Sequence, residues 1–280
     1  MNDQLVQAPI TIMQAVVLGV VQGLTEYLPI SSSAHLRVVP ALLHWPYQGV
    51  AYDAVIQLGS VLAVLTYFAK DIWKITTGAL KGVEQDVRMV GAIVVGTIPV
   101  CVLGLLLKHI IEQENSPMRS MMVIGAASIF MGLLLIVAEK IGKHRRTIDS
   151  VRGKDGLLVG LGQAMALIPG CSRSGSTLTV AMLLDFNRAD AARFSFLLGI
   201  PAIVISGGYE LFKMIKDHAL EGAAMSDLLV GLVASTIVSY MAIAWFLKYL
   251  QQHSTWVFVW YRLIFGAAVL VLTAVHLISN

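Results

Sequence analysis

Long apolar stretches without charged residues recur along this 280-residue chain and predict membrane-spanning helices. The longest are close to the roughly 20 residues that an α-helix needs to cross a hydrocarbon core. Backbone in lipid must satisfy its own hydrogen bonds, and the alternating polarity of a membrane β-barrel is missing. We therefore expect about six transmembrane helices, over residues 54–69, 89–107, 120–138, 194–209, 228–247 and 263–280.

The composition supports a membrane protein. Hydrophobic residues make up 57% of the chain and charged residues 13%, with a mean hydropathy of +0.76. A soluble domain has about 45–50% apolar and about 25% charged residues. The two cysteines, Cys101 and Cys171, lack the spacing of a metal site and do not predict a disulfide framework.

Basic residues are concentrated in two segments and predict the topology. The densest run covers residues 140–154, and a second basic segment covers residues 70–88. Cytoplasmic loops carry an excess of Lys and Arg, so both segments are predicted to be cytoplasmic. We expect one integral membrane domain over residues 1–280, in which a basic linker at about 140–154 joins a repeat at about 1–140 to a second at about 155–280.

Two polar runs, residues 22–35 and 163–177, suggest that the halves are related. Gln22 and Gln163 lie 141 positions apart, and each is followed by a proline, a cluster of hydroxyls, a short apolar arm and three long apolar helices. Three spans per half invert the second half, and such repeats place a ligand site near the membrane midplane. Polar groups at membrane depth are costly, which makes both runs functional candidates.

The arms of the second run are too short to span a membrane. Residues 156–168 and 174–184 have the length of re-entrant segments, so residues 156–186 are predicted to form a hairpin dipping in from the cytoplasmic side. Residues 8–45 form either a matching hairpin or a true span. The expected fold is an all-α polytopic membrane protein with an inverted-topology repeat, about six transmembrane helices and two re-entrant helix–loop–helix hairpins whose tips meet.

The first run carries a carboxylate and an imidazole. Gln22 and Glu26 are four residues apart and share a helix face, and Pro29 ends or kinks that helix. Serines 31–33 follow, of which Ser32 or Ser33 is expected to cap a second helix. The Glu26 carboxylate suits Mg²⁺ or Ca²⁺, and His35 is of the type that titrates near neutral pH.

The second run has the composition of a phosphate site. Glycines let the backbone approach a ligand, and the helix that follows offers free N–H groups to an anion. Arg173 brings a planar fork that matches phosphate. The spacing is not that of a Walker P-loop. The candidate ligand-binding residues of the two runs are Gln22, Ser31, Ser33, Ser172, Ser174, Gly175 and Thr177.

Structural interpretations of the same residues remain open. Hydroxyls in membrane helices often join one helix to another, and Glu26 could simply pair with Arg173, which would itself mark the site. Arg262, near one end of the last apolar stretch, either extends to the interface or reaches the site.

The two runs together resemble the bacterial undecaprenyl pyrophosphate phosphatases, also called bacitracin resistance proteins. That family has (E/Q)GxTExxPxSSxxH and PGxSRSGxT, which appear here at residues 22–35 and 169–177. Residues 52–60 and 194–198 also resemble family segments. Many members have Glu where this chain has Gln22 and Gly where it has Ala34.

The resemblance implies hydrolysis of a C55 isoprenoid pyrophosphate to the monophosphate and inorganic phosphate, with a divalent cation, Mg²⁺ or Ca²⁺. It implies an outward-facing site in the bacterial plasma membrane, a membrane lipid as partner rather than a nucleic acid, and homodimers. Carried over, Glu26 is a catalytic acid or metal ligand, His35 is a general acid/base or nucleophile, and Arg173 clamps the pyrophosphate. Ser32 and the other hydroxyls bind phosphate, or one of them is the nucleophile.

A transporter or flippase for an anionic or lipid-phosphate substrate is the competing interpretation. Inverted repeats with paired re-entrant tips are common in transporters, and an Arg–Ser tip could bind an anion without hydrolysing it.

Overall fold

Twelve α-helices build the part of the chain that the computed structural model describes, residues 10–113, 116–217 and 223–278. No strand forms within these ranges. The helices are α1 (Ile12–Thr25), α2 (Ser32–Leu42), α3 (Gly49–Tyr67), α4 (Ala69–Leu80), α5 (Glu84–Leu106), α6 (Lys108–Glu112), α7 (Met121–Ile141), α8 (Gly153–Ala164), α9 (Arg173–Leu183), α10 (Arg188–Lys216), α11 (Ala223–Gln252) and α12 (Trp256–Ala274).

Six of these helices are long and apolar enough to span a membrane: α3, α5, α7, α10, α11 and α12. The six apolar windows lie on these helices, which confirms an all-α polytopic membrane protein. The last window extends beyond α12, and its end at residues 279–280 lies outside the described residues. The basic segment 70–88 was expected to be a loop but contains α4, whose residues Trp73 and Leu80 are exposed beside three lysines.

The remaining helices form two hairpins of short arms. In the first hairpin, α1 has 14 residues and α2 has 11. In the second, α8 has 12 and α9 has 11. Residues 8–45 therefore contain no helix of spanning length in their described part. How deep either hairpin enters a bilayer stays a prediction.

Helices of the first half pack against helices of the second half. Helix α8 of the second hairpin packs against α5, and α1 of the first hairpin packs against α11, while α7 packs against α12. Glycines allow these close crossings, because a Cβ at Gly160 would lie 2.2 Å from the carbonyl oxygen of Gly96 and one at Gly19 would lie 2.5 Å from that of Gly231. Each hairpin is thus held by a spanning helix from the other half.

The basic linker is anchored to the base of the second hairpin. Both Arg146 Nη atoms donate to the Asp155 carboxylate at the start of α8, at 2.9 and 2.7 Å. The hydrogen bonds that Arg146 donates to Asp155 raise the pKa of its guanidinium. Arg188 at the start of α10 pairs with Glu139 near the end of α7. The first ion pair fixes the linker to the second hairpin, and the second joins the two halves.

Candidate active site

The tips of the two hairpins meet in a buried ion pair. Arg173 Nη2 of the second tip donates to Glu26 Oε1 of the first at 2.8 Å, and the two side chains are 12% and 4% exposed. The other carboxylate oxygen, Oε2, accepts from Ser32 Oγ at 2.7 Å and from Gln22 Nε2 at 2.8 Å. The four residues that the sequence singled out therefore form one hydrogen-bonded group.

Two serines shape the tips in the same way. Ser31 and Ser172 stand 141 positions apart, and both have positive φ, 78° and 68°. Each caps the helix that follows, Ser31 by accepting from Ala34 N and Ser172 by accepting from Gly175 N. The predicted cap at Ser32 or Ser33 is thus wrong by one or two positions, because the sharp turn after Pro29 brings the Ser31 hydroxyl to the free N–H groups. This leaves Ser32 directed at Glu26.

Ser60, which the sequence analysis did not single out, holds the side chain of Gln22 in place. Gln22 Nε2 lies 3.3 Å from Ser60 Oγ. Ser60 Oγ in turn accepts from Ser239 Oγ of α11 at 2.8 Å, and its carbonyl accepts from Tyr27 at 2.6 Å. The role of a serine within an apolar helix cannot be inferred from the sequence alone. Only the tertiary contact shows that Ser60 orients a residue of the site.

Arg262 reaches the tips of both hairpins and is 1% exposed. Its guanidinium donates to the carbonyl oxygens of Pro29 at 2.9 Å and Gly170 at 2.7 Å, and its Nε donates to Ser128 O at 3.2 Å. The sequence left open whether Arg262 extends to the membrane interface or reaches the site, and the second interpretation is confirmed. The residue orders the backbone of both tips.

His35 is turned away from the ion pair. Its Nδ1 lies 2.7 Å from the carbonyl oxygen of Ser31, which can only accept, so Nδ1 carries the hydrogen. Nε2 then accepts from the Tyr261 hydroxyl at 2.6 Å, and the ring stacks on Phe265 with centroids 4.4 Å apart. His35 is not among the residues that line the cavity beside Glu26.

The other residues that were predicted to bind a ligand fall into two groups: some hydrogen-bond within the tips, and the others line the cavity. Ser174 Oγ donates to the carbonyl oxygen of Leu28 at 2.9 Å, and Thr177 Oγ1 donates to that of Arg173 at 2.8 Å, so both hydroxyls hold backbone. Gly175 donates its N–H to the Ser172 hydroxyl. The residues of the two runs that line the cavity are Glu26, Ser31, Ser32, Ser33, Gln163, Ala166, Leu167, Ser172 and Arg173.

The cavity beside the ion pair has a volume of ≈ 460 Å³ and a largely apolar lining, with charged residues at the tips and also at Lys108 and Glu210. Its walls come mainly from α5 and α10. The two helices touch where Gly96 approaches Leu198. Three residues further along, each helix contains a proline, Pro99 in α5 and Pro201 in α10. The cavity lies between the parts of the two helices that follow these prolines. Prolines are a common cause of helix kinks, and both prolines stand next to the residues of α5 and α10 that line the cavity.

The residues at the tips fit one type of cation site. Across the described part of the chain, no three His, Cys, Asp or Glu side chains come close enough to hold a metal among themselves. Mg²⁺ often binds through one or two carboxylates together with phosphates of a substrate. Glu26 and the serine hydroxyls therefore fit a cation shared with a phosphate ligand and do not fit an all-protein cage.

Fold and site together define a polytopic membrane protein with a carboxylate, a guanidinium and hydroxyls at the head of an apolar cavity. Such an arrangement suits an amphiphile with an anionic head and an apolar tail. Residues 15–268 match the family described as bacitracin resistance protein BacA, and the chain belongs to that family.

Curated relatives match over nearly the whole chain. An undecaprenyl-diphosphatase of Gloeobacter violaceus is 53% identical over 280 residues, covering 98% of this chain and 96% of the relative. One from Synechococcus sp. (strain CC9902) is 52% identical, covering 94% and 95%. One from Synechocystis sp. is also 52% identical, covering 93% and 82%.

Proposed function

We propose that this protein is a membrane phosphatase that hydrolyses undecaprenyl pyrophosphate to undecaprenyl phosphate and inorganic phosphate. The reaction recycles the lipid carrier for cell-wall synthesis. Relatives that share about half of their residues with this chain are named undecaprenyl-diphosphatase. The observation that carries the proposal is the buried contact of Glu26 with Arg173 and Ser32 in the wall of a largely apolar cavity.

The contacts support a division of labour in phosphoryl transfer. Arg173 binds the pyrophosphate through Nη1, which is buried and makes no hydrogen bond to any described residue. Positive charge fixed beside the phosphate stabilises the charge that develops in the transition state. Glu26 accepts the proton of the Ser32 hydroxyl, which lies 2.7 Å from its Oε2.

Ser32 is the nucleophile that this geometry favours. Its oxygen attacks the terminal phosphorus, the bridging P–O bond breaks, and undecaprenyl phosphate leaves. Water then attacks the phosphorus of the phosphoserine, the P–Oγ bond breaks, and Glu26 returns its proton to the Ser32 oxygen as inorganic phosphate leaves. We assign His35 a positioning role, because its Nδ1–H holds the carbonyl oxygen of Ser31 beside the nucleophile.

A divalent cation, Mg²⁺ or Ca²⁺, is part of the proposal. Glu26 and oxygens of the bound pyrophosphate would both bind the cation. The cation would neutralise charge on the phosphates. The chain has Gln22 where many members have Glu, so this site has one carboxylate at its tips rather than two. The protein's own contribution to charge stabilisation then comes mainly from Arg173.

The cavity supports an outward-facing site with lateral access for the lipid tail. Helix α5 begins in the basic segment predicted to be cytoplasmic, and the cavity extends to Lys108 and Tyr209 beyond its other end. The space between α5 and α10 would admit the first isoprenoid units, while the rest of the tail stays in the bilayer of the plasma membrane. The homodimer implied by the family resemblance stays a prediction that cross-linking in membranes can test.

Phosphate release is the deciding assay. Purified protein in detergent is given undecaprenyl or farnesyl pyrophosphate, with and without EDTA, beside the variant Arg173→Ala. We expect release by the wild-type protein that EDTA suppresses and that the variant lacks. If the wild-type protein releases no more phosphate than the variant, the proposed phosphatase activity is refuted. If it releases phosphate but moves no lipid across vesicle membranes, a function limited to transport is excluded.

A further inference from the structure

Gln163 is a fully buried glutamine whose amide has no partner. The residue is 0% exposed, and neither its Oε1 nor its Nε2 makes a hydrogen bond to any residue in the described ranges. The side chain lines the cavity that also contains Glu26 and Arg173. Buried polar groups in proteins nearly always have a hydrogen-bonding partner, so an unpaired amide in the wall of a cavity points to a ligand.

The repeat explains why this amide is free. Gln163 corresponds to Gln22, whose Nε2 donates to Glu26 four residues later at 2.8 Å. Four residues after Gln163 the chain has Leu167, which has no polar atom to accept that bond. The second half therefore retains the glutamine without the carboxylate that accepts from its Nε2 in the first half.

The surroundings of Gln163 point to an anionic ligand. Arg173, on the following helix of the same hairpin, has a second unpartnered donor, its buried Nη1. Both residues line one cavity. A phosphate group presents several acceptor oxygens, so a single pyrophosphate can satisfy the amide Nε2 and the guanidinium Nη1 together.

We propose that Gln163 is a substrate-binding residue, whose Nε2 donates to a phosphate oxygen of the pyrophosphate while Oε1 accepts from water. The inference rests on the proposed function and deepens it. Gln22 has a supporting role in the first hairpin, whereas its counterpart in the second contacts the substrate.

The test combines thermal unfolding, with and without inorganic pyrophosphate, with the kinetics of farnesyl pyrophosphate hydrolysis. In Gln163→Met, which keeps the size of the side chain, we expect an unchanged or higher Tm, because removing an unpaired buried amide does not destabilise the fold. We expect kcat/KM to fall about ten- to a hundred-fold, the range for losing a hydrogen bond to a charged group, and the stabilisation by pyrophosphate to shrink.

Two further variants complete the design. Gln163→Glu keeps the shape, removes the donor and adds negative charge, so it should weaken pyrophosphate binding more than Gln163→Met does. Gln251→Met makes the same replacement at an exposed position at the end of α11 and should behave as wild type.

The outcomes separate this inference from the proposed function. Parallel losses of Tm and activity in Gln163→Met would show a structural residue, and normal kinetics with a normal pyrophosphate response in both Gln163 variants would overturn the inference. If wild-type protein binds pyrophosphate through Gln163 yet hydrolyses no lipid pyrophosphate, the binding role stands and the enzymatic proposal fails.

Discussion

Gly199 of α10 leaves room for Arg173, and replacing it with alanine should displace the guanidinium. A Cβ at this position would lie 1.5 Å from Arg173 Nη1 and 2.5 Å from its Cζ. Ordinary contact begins at 3.4 Å, so Nη1 must move by about 2 Å. The 2.8 Å bond to Glu26 would then be lost or rebuilt elsewhere. A misplacement of about 1 Å can cost about a hundred-fold in rate, equal to about 2.7 kcal/mol of transition-state stabilisation.

Helix α10 itself should tolerate Gly199→Ala, since alanine favours a helix interior by about 1 kcal/mol and the atom in the way ends a flexible side chain. Any loss of Tm then reports the broken ion pair of Arg173 with Glu26. The measurement is kcat/KM for farnesyl pyrophosphate together with Tm in detergent. Gly208→Ala on the same helix is the matched control, because a Cβ there meets nothing within 4 Å. Wild-type kinetics in Gly199→Ala would refute the reasoning that the observed position of Arg173 is required.

Two further predictions concern the stability of the tips. Arg262→Lys keeps the charge but cannot donate to the carbonyls of Pro29, Gly170 and Ser128 together. It should therefore lower the free energy of unfolding by about 1–3 kcal/mol for each buried carbonyl left unpaired; an unchanged Tm would contradict this. Ser31→Ala should be less stable than Ser31→Gly by about 1 kcal/mol, because both lose the cap but only alanine keeps a Cβ at a φ of 78°; the two Tm values in one detergent decide the order.

Much of the site was predictable because it lies within two continuous runs. Local spacing placed Gln22 beside Glu26 on one helix face, and the 141-residue offset predicted that the tips meet. Side-chain direction was not predictable, since it depends on neighbours from distant helices. His35 faces Tyr261 of α12 rather than the cavity, and Ser60 and Arg262 act through contacts across the fold.

The sequence by itself determined that the chain is an all-helical membrane protein, because apolar length and the need to satisfy backbone hydrogen bonds in lipid permit little else. It also determined the two polar tips and the chemistry they contain. Only the tertiary structure decided which helices enclose the cavity, since α5 and α10 are far apart in sequence and separate beyond Pro99 and Pro201. It alone distinguished Gln22, whose Nε2 is paired, from Gln163, neither of whose amide atoms has a partner among the described residues, because hydrogen bonding depends on what each side chain reaches in space.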